Sequence, residues 1–393
     1  MTASPAEVSE IVDWLQQSAA RNLGMSELVT ALCGKLREAD VPIDRLTIHL
    51  RQLHPLFLAQ GCVWESETGE TREVRREHGV QYTDEYLVSP VRIAFEEGRT
   101  VRYPLEDPQA ELPFEILSGL RDRGFTEYVM VPLFFRGRTQ ACSIATTRAG
   151  GFSDRDIALL LAICPTITQQ LELLLMEDTA MVLLDTFVGP RAGRKVLDGQ
   201  IKRGDGQTIP AILWYCDLRG FTALSEELDR DEMIGVLNGY FQAMAQPVED
   251  AGGEILKFIG DAMLAIWPMP QRSHQISARA DVAVASAEQA MANMAAANRQ
   301  RAEQGAEALR FGISLHLGDV MWGNIGSVNR LDFTVIGPAV NLVARLDDVA
   351  ARLREPLVVS DAFQAVSSRT FESLGSHRLK GIAEPQEVFR LTA

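Results

Sequence analysis

An α+β architecture in two domains is what the sequence predicts, on three observations. Helical periodicity gives way to strand-like alternation within the first 165 residues. An apolar helical run with a single proline follows, "IALLLAICPTITQQLELLLMEDTAMVLLDTFV". Beyond residue 205 strands and helices alternate in a β-α-β-β-α-β order with extra pieces.

Each element has its local reason. Val8, Ile11, Val12 and Leu15 share one helical face, "SELVTALCGKLREA" repeats that spacing, and Pro42 closes the helical region. From "IDRLTIHLRQL" to "LFLAQGCVWE" the period shortens to two, and "YVMVPLFFRG" with "QACSIATT" reads as a hairpin turned at Arg136-Gly137-Arg138. After "GGFSDRD" the helical period returns. Between Thr166 and Val188 it lines up Ile167, Leu171, Leu174, Leu175, Met181, Val182 and Leu184 on one side, a stripe that packs on its own domain or pairs with a second copy of itself. "GPRAGRKVLDGQIKRGDGQTIP" then breaks the pattern with glycine and charge, which sets a boundary near residue 205. The expected organisation is a domain over 1–165, a helical linker over 166–205 and a second domain over 206–393.

In the second domain "IPAILWYCD" reads as a strand and "RDEMIGVLNGYFQAMAQPVEDA" as a helix. "EILKFIG" and "AMLAIW" form a hairpin around Gly260-Asp261, and a long alanine-rich helix follows. "RFGISLHLG" and "VMWGNIG" read as a second hairpin-like pair. The strand "DFTVI", the helix "PAVNLVARLDDVA" and the strand "PLVVS" complete the order.

Composition bounds the partners. An apolar content of 46% and a charged content of 23% are those of a globular chain. The net charge of −15 comes without any basic block that tracks a phosphate backbone, so nucleic acid and anionic membrane are disfavoured. The acidic N-terminus lacks the charge pattern of a signal peptide, and the five scattered cysteines read as reduced core residues, so a cytoplasmic location is expected.

Two aspartates carry the chemistry. Asp217 ends an apolar strand and Asp261 sits on a Gly-Asp turn; adjacent parallel strands joined by a helical crossover would bring both carboxylates to one sheet edge. There they repel one another or share a divalent cation. Gly220, Phe221 and Thr222 open a helix whose N–H groups suit phosphate. Asn341 and Arg345 are one turn apart and share a helix face.

In order, "YCDLRGFTALSE", "GGEILKFIGDAMLAIW", "ISLHLGDVMWGNIGS" and "DFTVIGPAVNLVARL" resemble the catalytic domain of class III nucleotide cyclases, over about residues 207 to 393. The layout of the first domain, with "GGFSDRDIALLLAI" opening its closing helix, resembles a GAF-type sensory domain. The cyclase resemblance implies a ferredoxin-like βααββαβ fold and a homodimer with two shared sites. It implies two Mg²⁺ or Mn²⁺ ions on Asp217 and Asp261 with help from the Leu218 carbonyl, and a catalytic pair Asn341 and Arg345. Lys257 and Thr334 match the positions that recognise the purine, and Lys380 resembles a triphosphate-binding lysine. Lysine donates to adenine N1, whereas guanine presents donors there, so ATP is the expected substrate and cyclic AMP the product. A guanylate cyclase and a non-catalytic nucleotide-binding signalling module are the alternatives. A small molecule or protein acting on the first domain is the expected signal.

Overall fold

The computed structural model describes residues 4–17, 22–269 and 273–392, and its contacts divide the chain into two units, Met1–Leu183 and Leu184–Ala393. Both mix helices with largely antiparallel sheet.

In the first unit, helices α1 (Pro5–Gln16) and α2 (Met25–Glu38) precede strands β1 (Arg45–Arg51), β2 (Phe57–Glu65) and β3 (Thr71–Glu77). A Ser4 capping box starts α1, its hydroxyl accepting from Ala6 N–H while Glu7 reaches back to the Ser4 N–H. After short helical turns come β4 (Val101–Pro104), helix α3 (Glu115–Asp122), β5 (Glu127–Phe135) and β6 (Arg138–Thr146). The six strands run in the order β3-β2-β1-β6-β5-β4, every neighbouring pair antiparallel. The β5–β6 hairpin turns where "RGR" places it.

Helix α4 (Asp154–Phe187) closes this unit with Pro165 inside it. It is long and apolar enough to cross a membrane by length and composition. Its Leu159, Ile163, Ile167, Leu171 and Leu175 are instead buried in one core with α1, α2 and β1. The expected single stripe therefore splits. Ile167, Leu171 and Leu175 serve their own domain, while Met181, Val182 and Leu184 stay half-buried. All five cysteines are free thiols, and burial pushes Cys62 up to about 12 and Cys164 and Cys216 up to about 11.

By contacts the second unit takes in the chain from Leu184 onward. Within the segment expected as a helical linker lies a short helix, α5 (Pro190–Leu197), entered through Gly189 at φ 97° with Pro190 in its first turn. Ala192 of α5 is fully buried among Ala211, Leu213, Val320 and Trp322, which is why this segment belongs to the second unit.

The remaining elements are strand β7 (Gly206–Arg219), helices α6 (Phe221–Glu227) and α7 (Arg230–Asp250), and strands β8 (Glu254–Ile259) and β9 (Ala262–Pro268). Helix α8 (Ser273–Glu303), strands β10 (Arg310–Gly326) and β11 (Leu331–Ile336), helix α9 (Pro338–Leu353) and strands β12 (Leu357–Ser360), β13 (Phe371–His377) and β14 (Gln386–Leu391) complete it. The sheet order is β13-β14-β12-β10-β7-β9-β8, with β11 paired to β10.

Two sequence expectations are corrected. Asp217 and Asp261 are not brought together by adjacent parallel strands: the β8–β9 hairpin lays β9 antiparallel beside β7 and pushes β8 outward. Nor do "RFGISLHLG" and "VMWGNIG" form a hairpin. They are one continuous strand, β10, paired with β7 from Arg310 to Gly323. Gly318 lies within this strand; a Cβ there would lie 2.7 Å from the Ala339 Cβ, so the glycine makes room for α9.

Strand β7 is covered on both faces, which makes its sequence almost continuously apolar. Ile212, Trp214, Cys216 and Leu218 join a core with Tyr240 and Met244 of α7 and Ala283, Val284 and Ala287 of α8. Ala211 and Leu213 join the opposite core with Val343 of α9. The period of two puts Asp217 and Arg219 on the same side as Leu213, the side of α9.

Candidate active site

At the end of β7, Asp217 is in register with Ala262 on β9, next to Asp261 on the Gly260-Asp261 turn. That turn needs glycine, since Gly260 has φ 65°. Partial burial of Asp217, its hydrogen bond with Asp261 and the charges of Asp261 and Asp347 push its carboxyl up to about 7, against a smaller opposing pull from Arg219. Two carboxyls that share a proton are a ready site for a cation, because a cation removes the same repulsion.

Among the described residues no group of three or more His, Cys, Asp or Glu side chains is arranged to hold a metal alone. Asp217 and Asp261 offer two carboxylates to a cation whose remaining ligands would be other oxygens, water among them, the usual manner of Mg²⁺. Tyr215 on the same face of β7 is pushed up to about 12 by burial and then by Asp217, Asp347 and Asp261, which marks a third carboxylate close by.

The third carboxylate and its partner were missed by sequence reasoning. Arg219 donates to both oxygens of Asp347 on α9, with Nη2–Oδ1 at 2.7 Å and Nη1–Oδ2 at 2.5 Å, and Nη1 is 3.4 Å from Asp217. The Asp347 side chain is 5% exposed and Arg219 17%, so this is a buried forked pair. Gly312 on β10 leaves the room, since a Cβ there would sit 1.8 Å from Arg219 Nη2. The Arg219 guanidinium, one residue before the Gly220 turn, is engaged within the fold. No local signal joins two residues 128 apart in sequence.

Gly220 follows at φ 77° and caps α6, with no side-chain cap on the first turn. The turn of Gly220, Phe221 and Thr222 thus presents N–H groups beside Asp217.

Helix α9 starts at Pro338 after Gly337 at φ 146° and carries Asn341, exposed, and Arg345, half-buried. Arg345 donates to Asp348 at 3.2 Å, an exposed pair of low strength that a substrate phosphate can displace. Among the described residues neither Asn341 nor Arg345 makes a hydrogen bond or ion pair with Asp217 or Asp261. Within one chain it is Arg219 that touches both regions, reaching Asp217 on β7 and Asp347 on α9.

Lys257 on β8 is half-buried, and Thr334 on β11 is 4% exposed with a hydroxyl that has no hydrogen-bond partner. Strands β8 and β11 touch, which places the two positions in one region of the same chain. Lys380 lies exposed in the β13–β14 connection beside Gly381, with no ion pair to the aspartates among the described residues. Asp319 pairs with Pro210 inside the β10–β7 ladder.

Residues 207–392 match the family model of the adenylate and guanylate cyclase catalytic domain. An adenylate cyclase of Anabaena cylindrica is 30% identical over 166 residues, 41% of this chain and 32% of that protein. Adenylate cyclase 2 of Rhizobium meliloti (strain 1021) is 32% identical over 191 residues, 46% of this chain and 50% of that protein. The chain thus spans half or less of the length of these curated relatives. In the crystal structure of the adenylyl cyclase CyaB from P. aeruginosa, 26% identical, the match covers 48% of this chain and 96% of that one at a TM-score of 0.44.

Proposed function

With residues 207–392 a class III cyclase catalytic domain, we propose that the chain is an adenylate cyclase, converting ATP to 3′,5′-cyclic AMP and pyrophosphate as a homodimer. The observation that carries this reading is the meeting of Asp217 and Asp261 at the end of β7, where Asp217 is in register with Ala262, while among the described residues Asn341 and Arg345 make no hydrogen bond or ion pair with either. A second copy, related by a two-fold axis, would complete each site with its own α9. Exposed Phe258 and Ile259 beside Asp261, and Val328, Leu331 and Ile336 along the β10–β11 hairpin, supply apolar surface for such a contact.

The reaction closes a ring. The ribose 3′-oxygen attacks the α-phosphorus and pyrophosphate leaves. Asp217, Asp261 and the Leu218 carbonyl would hold the cations, which when bound would lower the pKa of the 3′-hydroxyl so that its proton passes to solvent and would neutralise the triphosphate. Lys257 donates to adenine N1, and the unpartnered Thr334 hydroxyl accepts from the N6 amino group. Asn341 orients the ribose, and Arg345, released from Asp348, balances charge at the reacting phosphate. The N–H groups at Gly220–Thr222, with Lys380, hold the phosphates that leave.

The first unit is proposed as a GAF-like sensory domain that responds to a small molecule or protein in the cytoplasm. Its helical and antiparallel layout supports that reading. A ligand there acts by its difference in affinity between two arrangements of the dimer.

The test is product formation from ATP and from GTP by the purified chain with Mn²⁺, with Asp261→Ala as control. Cyclic AMP formation lost in the variant is expected. Turnover of GTP above ATP would reassign the substrate, and turnover of neither would leave a nucleotide-binding module.

A further inference from the structure

The buried pair Arg219–Asp347 lies between the two sets of proposed site residues. Arg219 is two residues past Asp217 on β7 and faces the same side of the strand. Asp347 is two residues past Arg345 on α9. The Arg219 guanidinium meets both Asp347 oxygens and also the Asp347 backbone carbonyl at 3.3 Å, so it grips the helix at three points. Gly312 leaves room for the pair, since a Cβ there would meet both Arg219 and Asp347.

We propose that Arg219 and Asp347 are positioning residues that lock α9 to β7 and keep the Arg219 guanidinium at a long 3.4 Å contact with Asp217, short of the close pairing that would compete with a cation there. This rests on the shared-site cyclase reading above. In such a dimer Asp217 serves one site while Asn341 and Arg345 of the same chain serve the other. The pair is then the physical link between the two sites through a single chain.

The two partners of the pair have opposite consequences when removed. Without the Asp347 charge, Arg219 turns to its remaining neighbour, Asp217, 3.4 Å away, and competes with the cation. Without the Arg219 charge that competition disappears, but α9 loses its anchor. Asp347→Asn in the full chain should weaken Mn²⁺ binding, followed without nucleotide by the electron paramagnetic resonance of free Mn²⁺. The expected loss is roughly tenfold, the low end of what removal of a group behind a metal ligand costs. Arg219→Met should leave Mn²⁺ binding unchanged or tighter. Both should lower kcat, and Asp347→Glu should restore it in part. Should Asp347→Asn fail to fold, Arg219→Lys keeps the charge without the fork, and a kcat loss with unchanged Mn²⁺ binding is expected.

Mixed dimers locate the effect. In a mixture of Asp217→Ala and Arg345→Ala chains, the surviving site takes α9 from the first and Asp217 from the second. Asp347→Asn added to the first should lower kcat at saturating Mn²⁺, and added to the second it should raise the Mn²⁺ requirement. Equal changes in Mn²⁺ binding for Asp347→Asn and Arg219→Met, or identical effects of both placements, would overturn the proposal. An inactive parent mixture rejects the shared site instead, while the Mn²⁺ comparison in uniform dimers still decides the role of the pair.

Discussion

Gly312→Ala is the sharpest test of the packing around the Arg219–Asp347 pair. The new Cβ would lie 1.8 Å from Arg219 Nη2, 2.7 Å from its Cζ and 2.9 Å from Asp347 Oδ1. These contacts are far inside van der Waals separation, and β10 is pinned on both sides by β7 and β12, so the guanidinium has to leave. Asp347, 5% exposed, then loses its counter-ion. Breaking one side of a buried pair costs about 3–5 kcal/mol. In a unit of this size that is a fall in Tm of roughly 6–20 °C. Burial holds the Asp347 carboxyl above the usual range even with Arg219 beside it, so protonation is the escape route once the arginine is gone. A carboxyl raised in the folded state contributes stability at low pH and loses it as pH rises. The penalty should therefore be smaller at pH 5 than at pH 8. Urea unfolding of the second unit at both values measures it. Gly239→Ala on α7 is the control: no atom lies within 4 Å of its added Cβ, and it should stabilise by about 0.5–1 kcal/mol. A Gly312→Ala protein within about 1 kcal/mol of the parent at pH 8 would refute the account of this joint.

Asp217, held up to about 7 without a cation, should make the metal-free protein lose stability as pH rises toward that value, and Mn²⁺ should restore it above pH 7. Calorimetry with chelator and with Mn²⁺ from pH 5 to 8 checks this, and Asp217→Asn should remove both the slope and the Mn²⁺ effect. Lys257→Glu should shift the ratio of kcat/KM for GTP over ATP upward by at least about tenfold, since a carboxylate accepts from the guanine edge that lysine meets with a like donor. Gly61→Ala would place a Cβ 1.9 Å from the Ile48 carbonyl oxygen on β1, and should destabilise the first unit by about 1–3 kcal/mol. A two-transition melt in which only one transition moves is the expected record.

The meeting of Asp217 and Asp261 could be anticipated in the sequence because the candidate residues stand out from their surroundings. Asp217 interrupts an apolar strand, Asp261 follows a glycine turn, and Asn341 and Arg345 recur at helical spacing. Strand pairing was harder to read. The β8–β9 hairpin was visible, but which of its strands lies beside β7 depends on the whole sheet. The continuity of β10 was not legible either: glycine serves close helix approach as well as turns, and at Gly318 it is the neighbouring Ala339 that requires it. Helix α5 hid behind a glycine- and charge-rich composition because its burial rests on just Ala192 and Gly193. Arg219 and Asp347 gave no local signal, since the pair exists only where β7 and α9 meet.

The shared active site is tested most directly by mixing Asp217→Ala and Arg345→Ala chains, each inactive alone, and measuring cyclic AMP formed from ATP with Mn²⁺. Random pairing puts half of the dimers in the mixed form with one intact site each, so recovery to roughly a quarter of the parent activity is expected. A mixture as inactive as its components, with mixed dimers shown to form, would contradict the account.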